Sequence, residues 1–208
     1  MFRRVLTLGL LVFLLLAGAA VAAALAQPVP NVKTTGRLEA WKAIQSGRTG
    51  SLSIAIMDNG RFVYSEGFGM ADRPGSVPVD RQTLFNIGSV SKVYCATAIM
   101  LLVDEGKIKL DSPVTAYIPE FTMADERYRS ITVRMLLNHS SGLPGGSYAN
   151  SFGYRYHGPF LAETLQTLAR SHLKHNPGEL AIYCNDGFSL AEIIVERVTG
   201  KKYSTFLA

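Results

Sequence analysis

Apolar and polar positions along the chain predict a strand pair followed by a mostly helical body. Residues 52–57 and 61–65 are rich in strand formers and partly alternate between apolar and polar side chains. Residues 58–60 between them read Asp-Asn-Gly, a strong turn signal, so the two runs predict a β-hairpin. The glycines and prolines that follow, within residues 67–78, predict a loop.

The clearest helical pattern runs from Ser89 to Gly106, with a wide apolar face and a glycine at its end. Further helical patterns share amphipathic spacing or recognisable ends, and they span residues 31–49, 131–138, 159–173 and 186–199. Thr132 is the expected cap of the second of these, and Gly200 follows the last. The expected fold class is therefore α+β, with N-terminal antiparallel strands and a helical region.

The first 26 residues differ from the rest of the chain. Met1 to Arg4 is positively charged, Val5 to Leu16 is almost entirely apolar, and small residues follow as far as Ala26. This order predicts a signal peptide at residues 1–26, a partial folded domain at residues 27–208, and a periplasmic or extracellular location. An uncleaved membrane anchor is the alternative, since the apolar run is long enough to span a bilayer. The small-residue end favours cleavage, and we expect no stable membrane insertion afterwards.

Composition fits a globular protein with a real core, because 48% of the 208 residues are hydrophobic and 18% are charged. The formal net charge of +5 is mild and scattered along the chain. Nucleic-acid binding, which requires clustered basic residues, is not expected.

Cys95 and Cys184 are the two cysteines. An exported chain meets an oxidising compartment, so the two could form a disulfide or remain as buried thiols. Neither a CxxC pair nor a Cys/His metal spacing occurs in the sequence. We therefore predict no metal and no cofactor.

Ser89 and Lys92 form a candidate pair of nucleophile and base. Residues three apart lie on one face of a helix, roughly 5–6 Å apart at Cβ, so the lysine can reach the serine hydroxyl. A helix start also offers free backbone N–H groups that stabilise an oxyanion. Pairs of Ser and Lys replace the Ser-His-Asp triad in some hydrolases. The alternative is that Ser89 is a simple helix cap.

Ser171 and Lys174 have the same spacing. They lie near the end of a predicted helix, where the helix dipole has the wrong sign for oxyanion stabilisation. We therefore interpret this second match as a chance occurrence of two common residues.

Four segments together resemble one known family. FNIGSVSKVYCA (residues 85–96) resembles the active-site serine motif of the class C β-lactamase-like serine hydrolases. That group includes penicillin-binding D-alanyl-D-alanine carboxypeptidases and related esterases. Residues 50–72 resemble the family's opening hairpin, and residues 131–145 resemble its His-x-Ser-Gly-Leu segment. Residues 176–203 resemble its Tyr-x-Asn motif with the trailing helix, so that all four segments occur in family order. The resemblance implies a β-lactamase/transpeptidase-like fold.

The resemblance also implies roles for individual residues. Tyr183 and Asn185 match the Tyr-x-Asn motif, since they follow Pro177-Gly178 and lead into an apolar helix, as in the family. Tyr148 and Asn150 have the same spacing but lie in a Gly-rich loop. Ser89 would attack a carbonyl, and Lys92 would accept its proton, alone or coupled with Tyr183. Tyr183 would then protonate the leaving group, while Asn185 would hydrogen-bond Lys92 or the substrate. The expected substrate is a β-lactam, a D-Ala-D-Ala peptide or other peptidoglycan-derived compound, or a small ester or amide.

The remaining candidates are weaker. His139 precedes Ser-Ser-Gly and is expected to stabilise a loop rather than to act as a base. His157, His172 and His175 show no partner pattern and are expected at the surface. Cys184 could in principle act as a nucleophile, but its neighbours in the sequence give no reason to expect this.

One feature of the family has no match. Its third motif, Lys/His-Thr/Ser-Gly or a relative, lies on a strand near the C-terminus, and nothing after Tyr183 resembles it. Our hypothesis is that the chain is an N-terminal fragment of a longer protein, with the C-terminal sheet strands missing. Two functions remain open: an exported serine hydrolase, or a non-catalytic remnant that binds peptidoglycan or another ligand.

Overall fold

The computed structural model describes residues 31–145 and 160–208, which belong to two compact units divided between Phe85 and Asn86. The predicted signal peptide, the Tyr148/Asn150 pair and His157 lie outside the described residues.

The first unit begins with helix α1, Val32–Gln45. Its cap is Asn31, whose Oδ1 accepts the backbone N–H groups of Lys33 and Thr34 at 3.0 and 3.2 Å. These are N–H groups that a helix start leaves without an intrahelical partner, and the side chain satisfies them. The helical pattern predicted within residues 31–49 is confirmed.

The predicted hairpin is confirmed. Strand β1, Ser51–Asp58, pairs antiparallel with β2, Arg61–Asp72. Asn59 and Gly60 at the turn both have positive φ, 48° and 75°. A two-residue turn of this type requires positive φ at both positions, which explains why an Asn-Gly sequence stands there.

The loop predicted from Gly67 onwards begins too early. Strand β2 continues to Asp72 and also pairs with β3, Val77–Pro78. A Cβ at Gly67 would lie 2.8 Å from the carbonyl oxygen of Val79, and one at Gly69 would lie 2.2 Å from that of Gly50. These glycines therefore allow neighbouring backbones to approach closely inside the sheet, and they do not end the strand.

The second unit is helical. A 3₁₀ turn at Gly88–Val90 leads into α2, Ser91–Asp104. The later helices are α3 (Val133–Leu137), α4 (Phe160–Leu168), α5 (Asn185–Thr199) and α6 (Tyr203–Leu207), with 3₁₀ turns at Val114–Ala116 and Glu126–Ser130. Thr132 caps α3 and Gly200, with φ of 68°, ends α5, as predicted.

Helix α4 is shorter than the pattern over residues 159–173 predicts, because it ends at Leu168. The hydroxyl of Ser171 donates to the carbonyl of Thr167 at 2.8 Å, and the N–H of Leu173 donates to the carboxylate of Asp125 at 3.2 Å. A side-chain partner from a distant segment thus replaces the intrahelical hydrogen bond that would have continued the helix.

Helix α5 lies at the centre of this unit and packs against α2, α3, α4 and α6. The largest side chains with almost no exposure come from many elements and include Ile99, Leu102, Ile118, Phe121, Leu136, Leu190 and Ile194. Gly187 brings the start of α5 against α3, since a Cβ there would lie 3.1 Å from the carbonyl oxygen of Leu136. Cys95 and Cys184 are buried free thiols, so the disulfide alternative is not what the structure contains.

None of the helices found in residues 31–145 and 160–208 combines the length and the apolar character needed to cross a bilayer.

Candidate active site

Ser89 lies at the exposed start of the helical unit. It occupies the 3₁₀ turn that precedes α2, so the α-helix itself begins two residues later than predicted. Gly88 has φ of 52° and donates its N–H to Oδ1 of Asn86 at 2.7 Å. Neither the turn nor α2 receives a side-chain capping hydrogen bond. The hydroxyl of Ser89 is therefore available for other contacts, and the simple-cap alternative is not supported.

Lys92 lies one helical turn after Ser89 and bridges two elements. Its Nζ donates to Oγ of Ser89 at 3.2 Å and to Oδ1 of Asn185, at the start of α5, at 2.8 Å. The same Nζ lies 4.8 Å from the ring centre of Tyr183 and 5.4 Å from that of Phe188. Two hydrogen bonds and two aromatic faces thus fix the amino group beside the serine.

Tyr183 brings a second proton-carrying group to the same hydroxyl. Its phenolic oxygen is hydrogen-bonded to Oγ of Ser89. The hydrogen bond with Lys92, and then that with Ser89, lower the pKa of Tyr183 below its usual 10.0. The structure therefore brings together all four residues that the sequence singled out: Ser89, Lys92, Tyr183 and Asn185.

The segment from His139 to Gly142 supports the chain that carries Tyr183. The carbonyls of His139, Ser140 and Gly142 accept N–H groups from Ile182, Gly178 and Lys174 at 2.8–2.9 Å. Gly142 has φ of 77°, and a Cβ there would lie 2.4 Å from the carbonyl oxygen of His175. The backbone of residues 139–142 therefore holds the segment before α5 in place through three hydrogen bonds.

Phe188 is a residue of the site that the sequence analysis did not identify. It is buried on α5, and its ring lies against both Nζ of Lys92 and the imidazole of His139. The available signal was its position three residues after Asn185, which places both on one face of the helix.

The competing serine has a different environment. Ser171 follows the end of α4 and donates its hydroxyl to the carbonyl of Thr167. It stands at no helix start, so the reason given for setting this pair aside is confirmed. His172 is exposed, whereas His175 is partly buried and its Nδ1 lies 2.9 Å from the carbonyl oxygen of Asn176.

Cys184 lies between Tyr183 and Asn185 but is buried, and its Sγ contacts the carbonyl of Leu143 at 3.9 Å. Burial raises the pKa of the Cys184 thiol, which keeps it protonated and a poor nucleophile. Within the part of the chain that the structure describes, no group of three or more His, Cys, Asp and Glu side chains is placed to hold a metal ion.

Comparisons with known proteins show similarity over most of the chain. Residues 21–208 match the family model described as Beta-lactamase. Protein flp of Staphylococcus aureus is 27% identical over 165 residues, which are 79% of this chain and 33% of that protein. The chain thus spans about a third of the length of the curated relatives it matches.

Two solved structures show the same fold. The octameric penicillin-binding protein homologue from Pyrococcus abyssi is 31% identical, with a TM-score of 0.66 over 83% of this chain and 41% of that one. EstCE1, described as a hydrolase with promiscuous acyltransferase activity, is 29% identical, with a TM-score of 0.68 over 81% of this chain and 47% of that one. The expected α+β, β-lactamase/transpeptidase-like fold is confirmed. Since the family model covers nearly the whole sequence, the chain belongs to the β-lactamase family of serine hydrolases.

Proposed function

We propose that Ser89 is the nucleophile of a serine hydrolase that works through an acyl-enzyme. One observation carries the proposal: the hydroxyl of Ser89 is hydrogen-bonded to both the amino group of Lys92 and the phenol of Tyr183. A serine hydroxyl is a weak nucleophile until a neighbouring base takes its proton. Two such groups on one hydroxyl are the arrangement that acyl transfer needs.

In acylation, Oγ of Ser89 forms a bond to the substrate carbonyl carbon, and its proton passes to Lys92 acting as base, alone or through Tyr183. The tetrahedral intermediate then collapses, and the bond from the carbonyl carbon to the leaving nitrogen or oxygen breaks. Tyr183 donates the proton that the leaving group needs. Asn185 holds Nζ of Lys92 in place by accepting its hydrogen bond.

The backbone N–H of Ser89 is the proposed donor to the developing oxyanion. The first N–H groups of a helix have no intrahelical partner and point towards its start, where the helix potential is positive. A water molecule then attacks the ester carbonyl, Tyr183 accepts its proton, and Oγ of Ser89 leaves with a proton returned from Lys92.

The substrate class that we propose is a β-lactam, a D-Ala-D-Ala peptide or a small ester or amide. The relatives support this range, since one is named as a penicillin-binding protein homologue and another as a hydrolase with acyltransferase activity. All these substrates present a carbonyl carbon with a leaving group, which is what Ser89 requires.

A non-catalytic protein that binds peptidoglycan or another ligand is the second candidate. It is the interpretation that the sequence leaves open, because nothing in the residues after Tyr183 resembles the family's third motif. Such a protein would retain substrate contacts without turnover.

Covalent labelling distinguishes the two candidates. We would incubate the full chain with a fluorescent penicillin and with a fluorophosphonate, and compare Ser89→Ala with Ser171→Ala. The second variant is a matched control, because Ser171 has the same spacing to a lysine. We expect label on the wild type and on Ser171→Ala but not on Ser89→Ala. A wild type that takes neither label at any concentration would leave only the binding function.

We also propose that the chain is exported and meets its substrate outside the cytoplasm. The order of charged, apolar and small residues in positions 1–26 supports this proposal. N-terminal sequencing of protein recovered from a secreting host should begin at Gln27, and an intact Met1 would contradict cleavage.

A further inference from the structure

We infer that His139 is a positioning residue that holds the phenol of Tyr183 against Ser89. This inference rests on the proposed function of Ser89 and Tyr183. It assigns to the histidine a task that is neither general base catalysis nor simple loop stability.

His139 holds the backbone on both sides of Tyr183. Its carbonyl oxygen accepts the N–H of Ile182 at 2.9 Å, and its ring nitrogen Nδ1 accepts the N–H of Cys184 at 3.1 Å. In an extended segment, residues two apart point in the same direction. His139 can therefore accept the N–H groups of both Ile182 and Cys184. These two hydrogen bonds fix the position and orientation of Tyr183, which lies between them in the chain.

The imidazole also supports the ring of Tyr183. The two ring centres are 4.7 Å apart with a tilt of 35°, and the ring of Phe188 lies 5.3 Å from the imidazole at 45°. Tyr183 is 52% exposed, so few other contacts restrain its ring. Phe188, which is buried, packs against the imidazole and restricts its movement.

The backbone of His139 is in the left-handed region, with φ of 63°. That conformation is strained for a residue other than glycine, and it persists where surrounding contacts over-determine it. Here the surrounding contacts are the two hydrogen bonds to the Tyr183 segment. Asparagine and histidine tolerate the region better than most residues, which helps in choosing variants.

Acceptance at Nδ1 fixes the tautomer. The nitrogen that receives the Cys184 N–H must carry no proton, so the neutral ring carries its proton on Nε2. The titratable groups that face this ring among the described residues are Lys92 from α2, and Tyr183 and Cys184 from the segment before α5. From α5 the packed ring is the uncharged Phe188.

The two hydrogen bonds that His139 accepts from Ile182 and Cys184 form a clamp around Tyr183. Protonation of His139 would place an N–H on Nδ1 opposite the N–H of Cys184, and the second of these bonds would break. Burial and the nearby charge of Lys92 lower the pKa of His139 below its usual 6.5, which protects the neutral form near neutral pH. We therefore expect Tyr183 to lose its position only under acidic conditions.

Two variants separate the clamp from general packing. In His139→Asn, Oδ1 stands close to the place of Nδ1, accepts the Cys184 N–H and does not titrate. In His139→Gln, the polar group reaches the place of Nε2 and leaves the Cys184 N–H without its acceptor. Thermal unfolding of both would establish that they fold.

The first measurement is the rate constant for labelling of Ser89 by a fluorophosphonate, from about pH 5 to about pH 8, where histidine titrates. We expect His139→Gln to label about 10- to 100-fold more slowly at saturating probe, with half-saturation unchanged, because a small misplacement of a reacting group has this effect. We expect His139→Asn to keep most of the rate and to lose the decrease at acidic pH. Equal rates and equal pH profiles for the wild type and both variants would overturn the inference.

The second measurement does not depend on activity. Long-range nitrogen NMR spectra of the full chain should show His139 with Nδ1 unprotonated, and the ¹³Cζ resonance of Tyr183 should move in His139→Gln but little in His139→Asn. A proton on Nδ1 at neutral pH, or a Tyr183 resonance unchanged in His139→Gln, would overturn the inference even in a chain that takes no label. Absence of label on the wild type alone would instead count against the proposed function.

Discussion

Nζ of Lys92 donates a hydrogen bond of 2.8 Å to Oδ1 of Asn185, which lies 93 positions later in the chain. The bond joins the first turn of α2 to the first residue of α5. It directs the amino group, whose other hydrogen bond goes to Ser89. The two helix starts therefore form the site together.

Replacement of Asn185 by alanine tests this relationship. Without Oδ1, the lysine side chain gains rotational freedom, and we expect labelling of Ser89 to slow about 10- to 100-fold because the base is no longer held in line. Asn150→Ala is the matched control, since Asn150 stands in the other Tyr-x-Asn sequence. The measurement is the labelling rate at saturating fluorophosphonate, and similar rates for the two variants would contradict the role of Asn185.

Tyr183→Phe removes only the hydroxyl that is bonded to Ser89 and keeps the ring beside His139 and Lys92. We expect a decrease in labelling rate of about 10²- to 10⁴-fold, the usual contribution of a positioned acid or base. Thermal stability should change little, because the Tyr183 side chain is 52% exposed and adds little to the core. Tyr148→Phe is the control, and an equal effect of both variants would show that Tyr183 has no special role.

Glu192 lies partly buried on α5, where burial, and then the charge of Glu196, raise its pKa from 4.5 to about 7. Folding thus favours the protonated form. The stability that the protonated carboxyl of Glu192 contributes is fully present below pH 4.5 and is lost as the pH rises through about 7. We expect Glu192→Gln to be more stable than the wild type at pH 8, by up to about 3 kcal/mol for a shift of this size.

Urea unfolding at about pH 4.5 and about pH 8 measures this effect, since the unfolding midpoint follows stability at constant slope. The two proteins should be nearly equal at the lower pH. Glu163→Gln, at an exposed position of α4, is the matched control. A Glu192→Gln protein with a constant advantage at every pH would point to packing rather than to ionisation.

Asp125 and its partner Arg127 connect residues 173–176, which precede Tyr183, to the rest of the helical unit through hydrogen bonds. Its carboxylate accepts Nε of Arg127 at 3.0 Å and the N–H of Leu173 at 3.2 Å, while Nη1 of Arg127 donates to Oδ1 of Asn176 at 2.8 Å. The hydrogen bond from Arg127 holds the pKa of Asp125 well below its usual 3.8. The stabilisation is therefore present above pH 3.8 and is lost as the pH falls through the lower value of the folded state.

We expect Asp125→Asn to lower the melting temperature at neutral pH and to approach the wild type as the solution becomes strongly acidic. Thermal unfolding followed by circular dichroism at a series of pH values checks this expectation. Asp104→Asn, at an exposed position near the end of α2, is the control and should have little effect. A difference between Asp125→Asn and the wild type that grows as the pH falls would contradict the assignment.

Much of the fold follows from local patterns. Asn59-Gly60 specifies the hairpin turn, Thr132 caps α3 and Gly200 ends α5, because each of these residues satisfies a backbone requirement within a few positions. Two of the corrected predictions, the loop from Gly67 and the length of α4, have one cause. Gly67 lies within β2 because Val79 packs against it, and α4 stops at Leu168 because the chain beyond finds partners elsewhere.

Part of the site was also predictable. The helical period alone places Lys92 one turn from Ser89, and the order of four family-like segments selects this pair over Ser171 and Lys174. The choice of Tyr183 and Asn185 came from that resemblance, not from any rule of spacing. The contact of Phe188 with Lys92, and the clamp formed by His139, could not be obtained from either source.

The sequence by itself determined the local elements, the spacing of Ser89 and Lys92 and the family, because these depend on residues close together in the chain or on their order. The tertiary structure decided which groups meet. Only the packing of α5 on α2 and α3, which Gly187 permits, carries Asn185 to Lys92 and sets Tyr183 between His139 and Ser89. Contacts between residues some 45 to 94 positions apart result from burial of a shared core, and no local pattern encodes their distances.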